Sequence, residues 1–467
     1  MIKGNSTMRE QTVKAMGNPL GTLPIAKLLP KFAIPAVISM IVSALYNIVD
    51  QIFIGWGVGV LGNAATNVAF PIPTICLSLA LLAGIGGSAN YNICSGKGEE
   101  EEGLKFAGNA LSMMVILGVA MLAGILIFLR PLLFVFGATD QVMPYAVDYA
   151  RIIAYGLPFY FLGFGATHLI RADRSPAFSM FCGIIGAVIN LVLDPIFIFG
   201  FHWEMKGAAL ATILGQIVTA VIAVIYFAKL SSMKIRKQHL VPGGFFFRRI
   251  FVLGIGGAIF NLSIALSQIV MNNVIRAIGP SSVYGVEIPL ACVGIIVKID
   301  QVFRGIGIGV HQGCQPIFGF NYGAKKYDRV RECFRRASIA VIITGVIFFA
   351  AFMLFPKGIL SMFGAESEAF FAFGVRFFRI YLMFTILNAL PQLISGFFTA
   401  VGKPVPAAMI PVIKHIFTFI PLVLLLPMLL GMDGIMLAGA ISDAIIIVVS
   451  LLMVRKALKK LTMAKTC

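Results

Sequence analysis

The chain has 467 residues, of which 59% are hydrophobic and only 12% are charged, and its mean hydropathy is +0.96. Soluble domains carry roughly 25% charged residues, and a soluble chain this apolar would expose large adhesive patches. The formal net charge of +18 does not indicate nucleic-acid binding, because the basic residues lie between apolar runs rather than on one face or tail. The composition therefore excludes a soluble or nucleic-acid-binding protein and indicates a membrane protein.

Twelve apolar runs follow in chain order, and each is long enough to cross a bilayer as a helix of about 20 residues. They lie near 32–55, 65–93, 107–129, 146–169, 178–200, 207–228, 250–275, 285–318, 338–356, 375–400, 405–428 and 434–454. The second and eighth runs are long, so we expect them to tilt or bend. The first run follows no cleavable signal-peptide pattern, and we interpret it as a retained signal anchor. The sequence predicts an all-α integral membrane protein of about twelve transmembrane helices.

Lysine and arginine are concentrated on one side of these helices, in the N-terminal segment, in 229–249, in 325–336 and in the tail 455–465. Positive residues favour the cytoplasmic side, so we expect both termini in the cytoplasm. An even number of helices, which places both termini on one side, agrees with this. The predicted divisions are a cytoplasmic segment 1–30, an N-lobe 31–230, a cytoplasmic linker 231–249, a C-lobe 250–456 and a cytoplasmic tail 457–467.

Short sequence repeats relate the two halves of the chain. Residues 207–211 recur as 434–438, and Arg174-Ser-Pro176 corresponds to Gly402-Lys-Pro404, at offsets of 227 or 228 residues. Six helices per half give both halves the same orientation, related by an axis along the membrane normal. Transporters often contain such parallel repeats, with the substrate site between them.

Acidic residues within the apolar runs are the first candidates for function, because charge inside a bilayer is costly. Asp50 lies near the outer end of helix 1 and Asp194 near the outer end of helix 5. Thr212 follows the outer start of helix 6. At ~1.5 Å per residue, all three lie roughly 8–9 Å inside the outer boundary. The sequence therefore predicts one polar cluster in the first half.

Further polar residues lie one helical turn from these acids, namely Asn190, Tyr46 and Asn47. Tyr46 and Asn47 could also line a substrate cavity. Two carboxyl groups close together in a low-dielectric medium do not both ionise readily, so such a site can take up a proton. The same oxygens, with those of Asn190 and Thr212, could instead bind Na⁺. The alternative interpretation is a polar clamp that joins helices and never changes protonation.

The second half lacks an equivalent set of acids. Its ionisable candidates are Glu287 near the start of helix 8, Lys298 and Asp300 midway along it, and Asp443 on helix 12. Asp300 could simply pair with Arg304, four residues later on the same helix face. Asp443 matches Gln216 in the repeat, and both could line a cavity. Glu287 and Asp300 could attract cationic substrates.

Other site classes find little support in the sequence. The glycine clusters follow no strand and carry no dinucleotide-binding acid, and there is no GxxxxGK[ST] loop, so we expect no nucleotide. The seven cysteines form no CxxC pair, and we predict no disulfide and no structural zinc. The five histidines are scattered without ligand spacing, which argues against a membrane enzyme. We expect no cofactor beyond a coupling ion.

Four segments together resemble the multidrug and toxic compound extrusion (MATE) transporters, in the bacterial MepA-like group. They are Pro35 with Tyr46–Asp50, then Asn190–Pro195, then Gly207–Thr212 with Gln216, and finally Gln315–Lys325 after helix 8. The resemblance covers nearly the whole chain. It implies two six-helix lobes that form a V and alternate in access. It also implies export of varied, often cationic, organic compounds in exchange for H⁺ or Na⁺.

The resemblance also assigns residues. Asp50, Asp194, Asn190 and Thr212 match the N-lobe cation site of such transporters. A further helix-4 asparagine of some members is absent here, where Thr167 and His168 stand. The C-lobe acids that other members carry on helices 7 and 10 are also absent, so we do not expect coupling through the second lobe.

We expect a protein of the bacterial cytoplasmic membrane, in contact with lipids. We expect a monomer, although the sequence does not determine the oligomeric state. A lipid-linked oligosaccharide flippase of the wider superfamily is the alternative. Flippases of that kind often have additional helices and a strongly cationic cavity, whereas this sequence has twelve apolar runs and few central bases.

Overall fold

The computed structural model describes residues 18–58, 60–136, 138, 140–361 and 368–463, and these are almost entirely helical. Twelve long helices form the body of the molecule. They are α1 (Ile25–Gly57), α2 (Pro71–Lys97), α3 (Glu100–Ile127), α4 (Met143–Ala172), α5 (Pro176–Pro195), α6 (Glu204–Ile225), α7 (Gly244–Ile278), α8 (Glu287–Gly323), α9 (Tyr327–Leu354), α10 (Glu368–Tyr381 with Thr385–Ala400), α11 (Pro404–Leu430) and α12 (Met432–Met463).

Ten helices of the described chain are long and apolar enough to cross a membrane, and the two segments of α10, bent by 53°, make an eleventh span. The remaining helix, α8, has 37 residues. Because its first half contains charged residues and its second half contains polar residues, α8 has no long uninterrupted apolar stretch. At ~1.5 Å per residue it is nevertheless about 55 Å long, more than a bilayer requires. The predicted all-α membrane fold is confirmed.

Two of the predicted runs differ in shape from simple spanning helices. The second run is divided at Phe70 into Val60–Ala69 and α2, and Pro71, which has no backbone N–H to donate, begins the new helix. The sharpest bend falls instead in α10, between Tyr381 and Thr385, which the sequence did not indicate.

The internal repeat is visible in the backbone at the helix connections. Of the eight described residues with positive φ, six fall into three pairs, which are Gly98 with Lys325, Arg174 with Gly402, and Glu204 with Gly431. The members of each pair are separated by 227 or 228 residues, the offset of the sequence repeat. Three of the six are not glycine, although a left-handed conformation disfavours residues with a side chain. The two halves therefore share the same turn geometry even where their residues differ.

Helices of the two halves pack closely near the ends that lie on the side of the chain termini. A Cβ atom on Gly309 of α8 would lie 2.5 Å from the Cα of Val37 on α1, and one on Gly313 would lie 2.5 Å from the Cα of Ala33. The halves also meet through α2 and α7, where Gly254 lies against the backbone carbonyl of Leu82. This close packing joins the two halves on the side of the chain termini.

The connection between α6 and α7 is fixed to the first half by buried polar side chains. Asp173 accepts hydrogen bonds from the Tyr226 hydroxyl at 2.7 Å and the Ser231 hydroxyl at 2.6 Å. Asn109 donates to the His239 carbonyl at 3.1 Å and accepts from the Gly243 amide at 2.8 Å. The described part of the predicted linker is therefore an ordered strap across α3.

Candidate functional site

A buried polar cluster lies where α1, α5 and α6 meet in the first half. The side-chain amide of Asn190 lies 3.3 Å from Oδ1 of Asp194 and 3.3 Å from Oγ1 of Thr212. Asp194 is completely buried. The Asp50 carboxyl from α1 lies within hydrogen-bonding reach of the Asp194 carboxyl. The structure thus brings together Asp50, Asp194 and Thr212, which the sequence placed at one depth, with Asn190 one turn away on α5.

Several oxygens in this cluster receive no N–H or O–H donor from the described protein atoms. They are Oδ1 of Asp50, Oδ2 of Asp194 and Oδ1 of Asn190, all of which are buried. Two carboxyl groups can share a hydrogen bond only when one of them carries a proton. A buried acceptor without a donor is unfavourable by roughly 1–3 kcal/mol. These oxygens are therefore available to accept a hydrogen bond from a protonated carboxyl or to ligate a cation.

Helix geometry explains why these groups converge. Asn190 and Asp194 are four residues apart on α5, so they share one face. The α-helix ends at Pro195, and the chain continues as a π-helical turn over Ile196–Gly200. Turns of this kind occur frequently at functional sites, because they redirect neighbouring side chains. Thr212 donates to its own helix at the Ala208 carbonyl at 3.0 Å, which leaves its lone pairs available to Asn190.

Tyrosines surround the acid pair. Tyr46 on α1 and Tyr149 on α4 both lie within electrostatic range of Asp50 and Asp194. Tyr160, further along α4, lies near Tyr46. A tyrosine combines an apolar ring with a hydroxyl group that can donate or accept a hydrogen bond.

The residues predicted to line a cavity occupy different surroundings. Gln216 is partly buried, and its Oε1 has no hydrogen-bond donor among the described atoms. Asn47 is exposed, and its amide donates to the Ser43 carbonyl of its own helix at 2.6 Å. Gln216 therefore lies one helical turn from Thr212 with an amide oxygen that accepts no hydrogen bond from the described atoms. The amide of Asn47 is instead bonded to its own helix.

The chemistry of the cluster suits a small hard cation or a proton. All of its available ligand atoms are oxygens, from two carboxyls, one amide and one hydroxyl. Oxygen ligands are those that hard cations prefer. Neighbouring carboxyls also bind protons, because two negative charges at this distance repel strongly in a medium of low dielectric constant.

The second half contains buried ion pairs. Asp300 and Arg304 on α8 form the predicted pair, with Oδ2 and Nε 3.1 Å apart. Asp443 on α12 forms an ion pair of 2.8 Å with Lys414 on α11. The side chains of two further candidates, Glu287 and Lys298, lie outside the described part of the structure. Both of the described acids therefore have a basic partner within their own half.

Two residues of the structure were not predicted from the sequence, namely Tyr149 near the acid pair and Lys414 in the second-half ion pair. Tyr149 has no signal of its own, since tyrosine is common in membrane helices. Lys414 is a charged residue within the apolar run 405–428, and that position is itself a signal, because charge inside a bilayer is costly. Its partner, Asp443, is 29 residues away in the chain, so only the fold identifies the pair.

The distinctive segment 315–325 joins the two halves. Gln315 donates to the Ser88 hydroxyl on α2 at 3.1 Å and lies beside His168 on α4. Asn321 donates to the Leu20 carbonyl, in the short helix that precedes α1, at 2.9 Å. These contacts lie on the side where the halves pack closely, so the segment stabilises that packing.

Among the described residues, one group could hold a metal ion away from the acid pair. The ligand atoms of Cys94, Glu99 and Glu102 lie within 4.8 Å of one another at the end of α2 and the start of α3. Both glutamates are exposed, and exposed acids often cluster without an ion. All six described cysteines are free thiols, and each is buried.

Comparison with known proteins supports a transporter family. A family model described as MatE matches residues 35–196 and again residues 258–424, so it recognises both halves. The multidrug export protein MepA of Staphylococcus haemolyticus is 22% identical over 442 residues, covering 94% of this chain and 96% of that protein. MepA of Staphylococcus aureus strain NCTC 8325 / PS 47 is 22% identical over 432 residues, covering 92% and 94%.

Solved structures agree with this result. The MATE multidrug transporter DinF-BH is 33% identical, with a TM-score of 0.85 over 93% of this chain and 96% of that one. An outward-facing multidrug resistance MATE family transporter of the MOP superfamily is 22% identical, with a TM-score of 0.88 over 96% and 98%. The predicted resemblance is confirmed, and this chain belongs to the MATE family of membrane transporters.

Proposed function

We propose that this protein is a secondary active antiporter that exports organic, often cationic, compounds in exchange for H⁺ or Na⁺. The observation that carries the proposal is the buried Asp50–Asp194 carboxyl pair with its unsatisfied oxygens. A pair of this kind changes charge when a cation enters or leaves. The drug-export part of the proposal rests on the relatives named as multidrug exporters and multidrug transporters.

Coupling requires that the cation and the substrate favour different conformations, or compete for one of them. The acid pair lies in the first half, while the close packing between halves lies towards the chain termini. A bound cation would neutralise the pair and let α1, α5 and α6 approach one another. Loss of the cation would leave mutually repelling carboxylates that a cationic substrate can compensate.

The test is transport in proteoliposomes. Full-length protein would be reconstituted, and movement of a fluorescent lipophilic cation would be followed under an imposed pH gradient and, separately, an imposed Na⁺ gradient. We expect one gradient to drive transport in the wild type. Because the Asn variants keep the shape but lose the charge, Asp50→Asn and Asp194→Asn should abolish gradient-driven transport.

A matched control is Asp148→Asn on α4, in the same half. Asp148 forms an exposed ion pair with Lys206 at 3.4 Å and lies outside the acid cluster, so this variant should transport like the wild type. Transport by Asp50→Asn and Asp194→Asn at the wild-type rate would make the cluster a structural clamp. If neither gradient moves the dye, lipid-linked substrates, as expected of a flippase, become the next to test.

A further inference from the structure

The two halves can be aligned residue by residue at their fifth and sixth helices. In the first half, a Cβ atom on Gly215 of α6 would lie 2.6 Å from the Gly186 carbonyl of α5. The residues at the repeat offsets are Ser442 on α12 and Lys414 on α11. Ser442 donates to the Lys414 carbonyl at 2.8 Å, which is the same inter-helix contact. The fold therefore confirms the alignment of Gly186 with Lys414.

The same alignment locates the second half's counterpart of the cation cluster. Asn190 corresponds to Thr418, whose hydroxyl lies 2.7 Å from the Ser442 hydroxyl. Thr212 corresponds to Gly439, and Asp194 to Leu422. At these positions the second half therefore has neither a carboxylate that corresponds to Asp194 nor an amide that corresponds to Asn190.

An acid reappears one helical turn away, towards the predicted cytoplasmic side. Gln216 of the first half corresponds to Asp443, and Gly186 corresponds to Lys414. Where the first half has a neutral amide beside a glycine, the second half has a carboxylate paired with an ammonium group. The Lys414 Nζ lies 2.8 Å from Oδ1 of Asp443 and 2.9 Å from Oδ1 of Asn388.

The surroundings of the ammonium group resemble those of a bound cation. Its ligands are a carboxylate oxygen and an amide oxygen, the same donor types that Asp194 and Asn190 offer in the first half. Both partners are largely buried, with 16% of the Lys414 side chain and 9% of the Asp443 side chain exposed. The other charges within range of Asp443 are Asp300 and Arg304, which form their own ion pair.

We propose that the second half contains a site for a monovalent cation, built on Asp443 and Asn388 and filled by the ammonium group of Lys414. Because this cation is covalently tethered, it cannot be exchanged, and only the first half exchanges a cation in the transport cycle. Lys414 thereby sets the number of coupled cations. The inference rests on the proposed function in one respect, since it assumes that the first-half cluster binds the exchanged cation.

Removal of the tethered cation should open the site. In Lys414→Met the Asp443 carboxylate would lose its buried counter-charge, and an unpaired buried charge is strongly destabilising. Uptake of a proton or Na⁺ from solution would relieve that destabilisation. A methionine keeps most of the volume of the lysine side chain, so the helices should remain packed.

The experiment counts cations bound to purified full-length protein, by equilibrium binding of radioactive sodium and by proton uptake after a pH step. The variants are Asp50→Asn, Lys414→Met and the two combined. We expect one cation in the wild type, none in Asp50→Asn, two in Lys414→Met and one in the combined variant. Adding Asp443→Asn to Lys414→Met should return the count to one. Lys206→Met, which removes a lysine from an exposed ion pair, should leave the wild-type count unchanged.

The results distinguish failure of the second-half site from failure of the proposed first-half site. A folded Lys414→Met protein that binds as many cations as the wild type would overturn the inference while leaving the proposed function intact. A wild type that binds no cation, or an Asp50→Asn variant that keeps the wild-type count, would instead contradict the proposed first-half site. If Lys414→Met does not fold, Asp50→Asn is compared with the variant that carries both Asp50→Asn and Asp443→Asn. A cation that remains bound to Asp50→Asn and is lost when Asp443→Asn is added would show that the second site exchanges.

Discussion

The close packing of α1 against α8 gives a prediction that the structure makes quantitative. The added methyl group of Gly309→Ala would lie 2.5 Å from the Cα and 2.6 Å from the N of Val37. Both are backbone atoms, so no side-chain rotation relieves the overlap, and α1 and α8 must separate by roughly 1 Å to reach ordinary van der Waals contact. Overpacking of this kind costs about 1–3 kcal/mol, against a gain of about 0.5–1 kcal/mol in helix propensity.

The substitution destabilises the conformation seen here, in which the two halves are packed together on the side of the chain termini. A difference of about 1.4 kcal/mol is a factor of ten in an equilibrium constant, so Gly309→Ala should reduce the population of this conformation by several-fold to about tenfold. The assay is the rate at which a membrane-permeant maleimide modifies the buried cysteines, measured together with the thermal unfolding midpoint. The variant should be modified faster and unfold at a lower temperature.

Gly294 provides the matched control on the same helix, because a Cβ atom there would have no neighbour within 4 Å. Gly294→Ala should therefore keep or slightly raise the unfolding midpoint and leave cysteine modification unchanged. The reasoning fails if Gly309→Ala behaves like Gly294→Ala in both measurements.

Two further substitutions probe buried polar contacts. Asp300→Asn leaves Arg304 without its ion-pair partner in the membrane, so we expect the unfolding free energy to fall by about 3–5 kcal/mol. Asp148→Asn, at an exposed ion pair, should lower it by no more than about 1 kcal/mol. Equal effects of the two substitutions in a denaturation series would contradict this. Asn109→Ala removes the two hydrogen bonds that Asn109 makes to the strap between α6 and α7, at about 1–3 kcal/mol for each unsatisfied backbone group. Amide exchange near Gly243 should accelerate. Unchanged exchange would show that the other contacts of the strap are sufficient to hold it.

Much of the architecture could be predicted because a bilayer imposes simple rules. A run of about 20 apolar residues must form a helix to satisfy its backbone, and the repeat offset relates one half to the other. The first-half cluster was also predictable, since counting residues from the helix ends placed Asp50, Asp194 and Thr212 at one depth. The 3.3 Å contacts of Asn190 show that depth and helix face together were sufficient.

Other features depend on packing that no local pattern encodes. The bend of α10 falls where the sequence has neither proline nor glycine, between Tyr381 and Thr385. The partnership of Lys414 with Asp443 depends on the contact between α11 and α12. Likewise, Tyr149 comes within electrostatic range of both carboxyls only because α4 lies against α6.

The central claim, that the first-half acids couple cation movement to export, is tested most directly by running the cycle in reverse. A gradient of the fluorescent organic cation alone would be imposed across proteoliposomes, and the opposing movement of H⁺ and of Na⁺ would be measured for the wild type and for Asp194→Asn. Since coupling between two ligands is reciprocal, the account predicts that the substrate gradient drives one of these ions uphill in the wild type and neither in the variant. Substrate movement with no ion movement in the wild type, or equal ion movement in the variant, would contradict it.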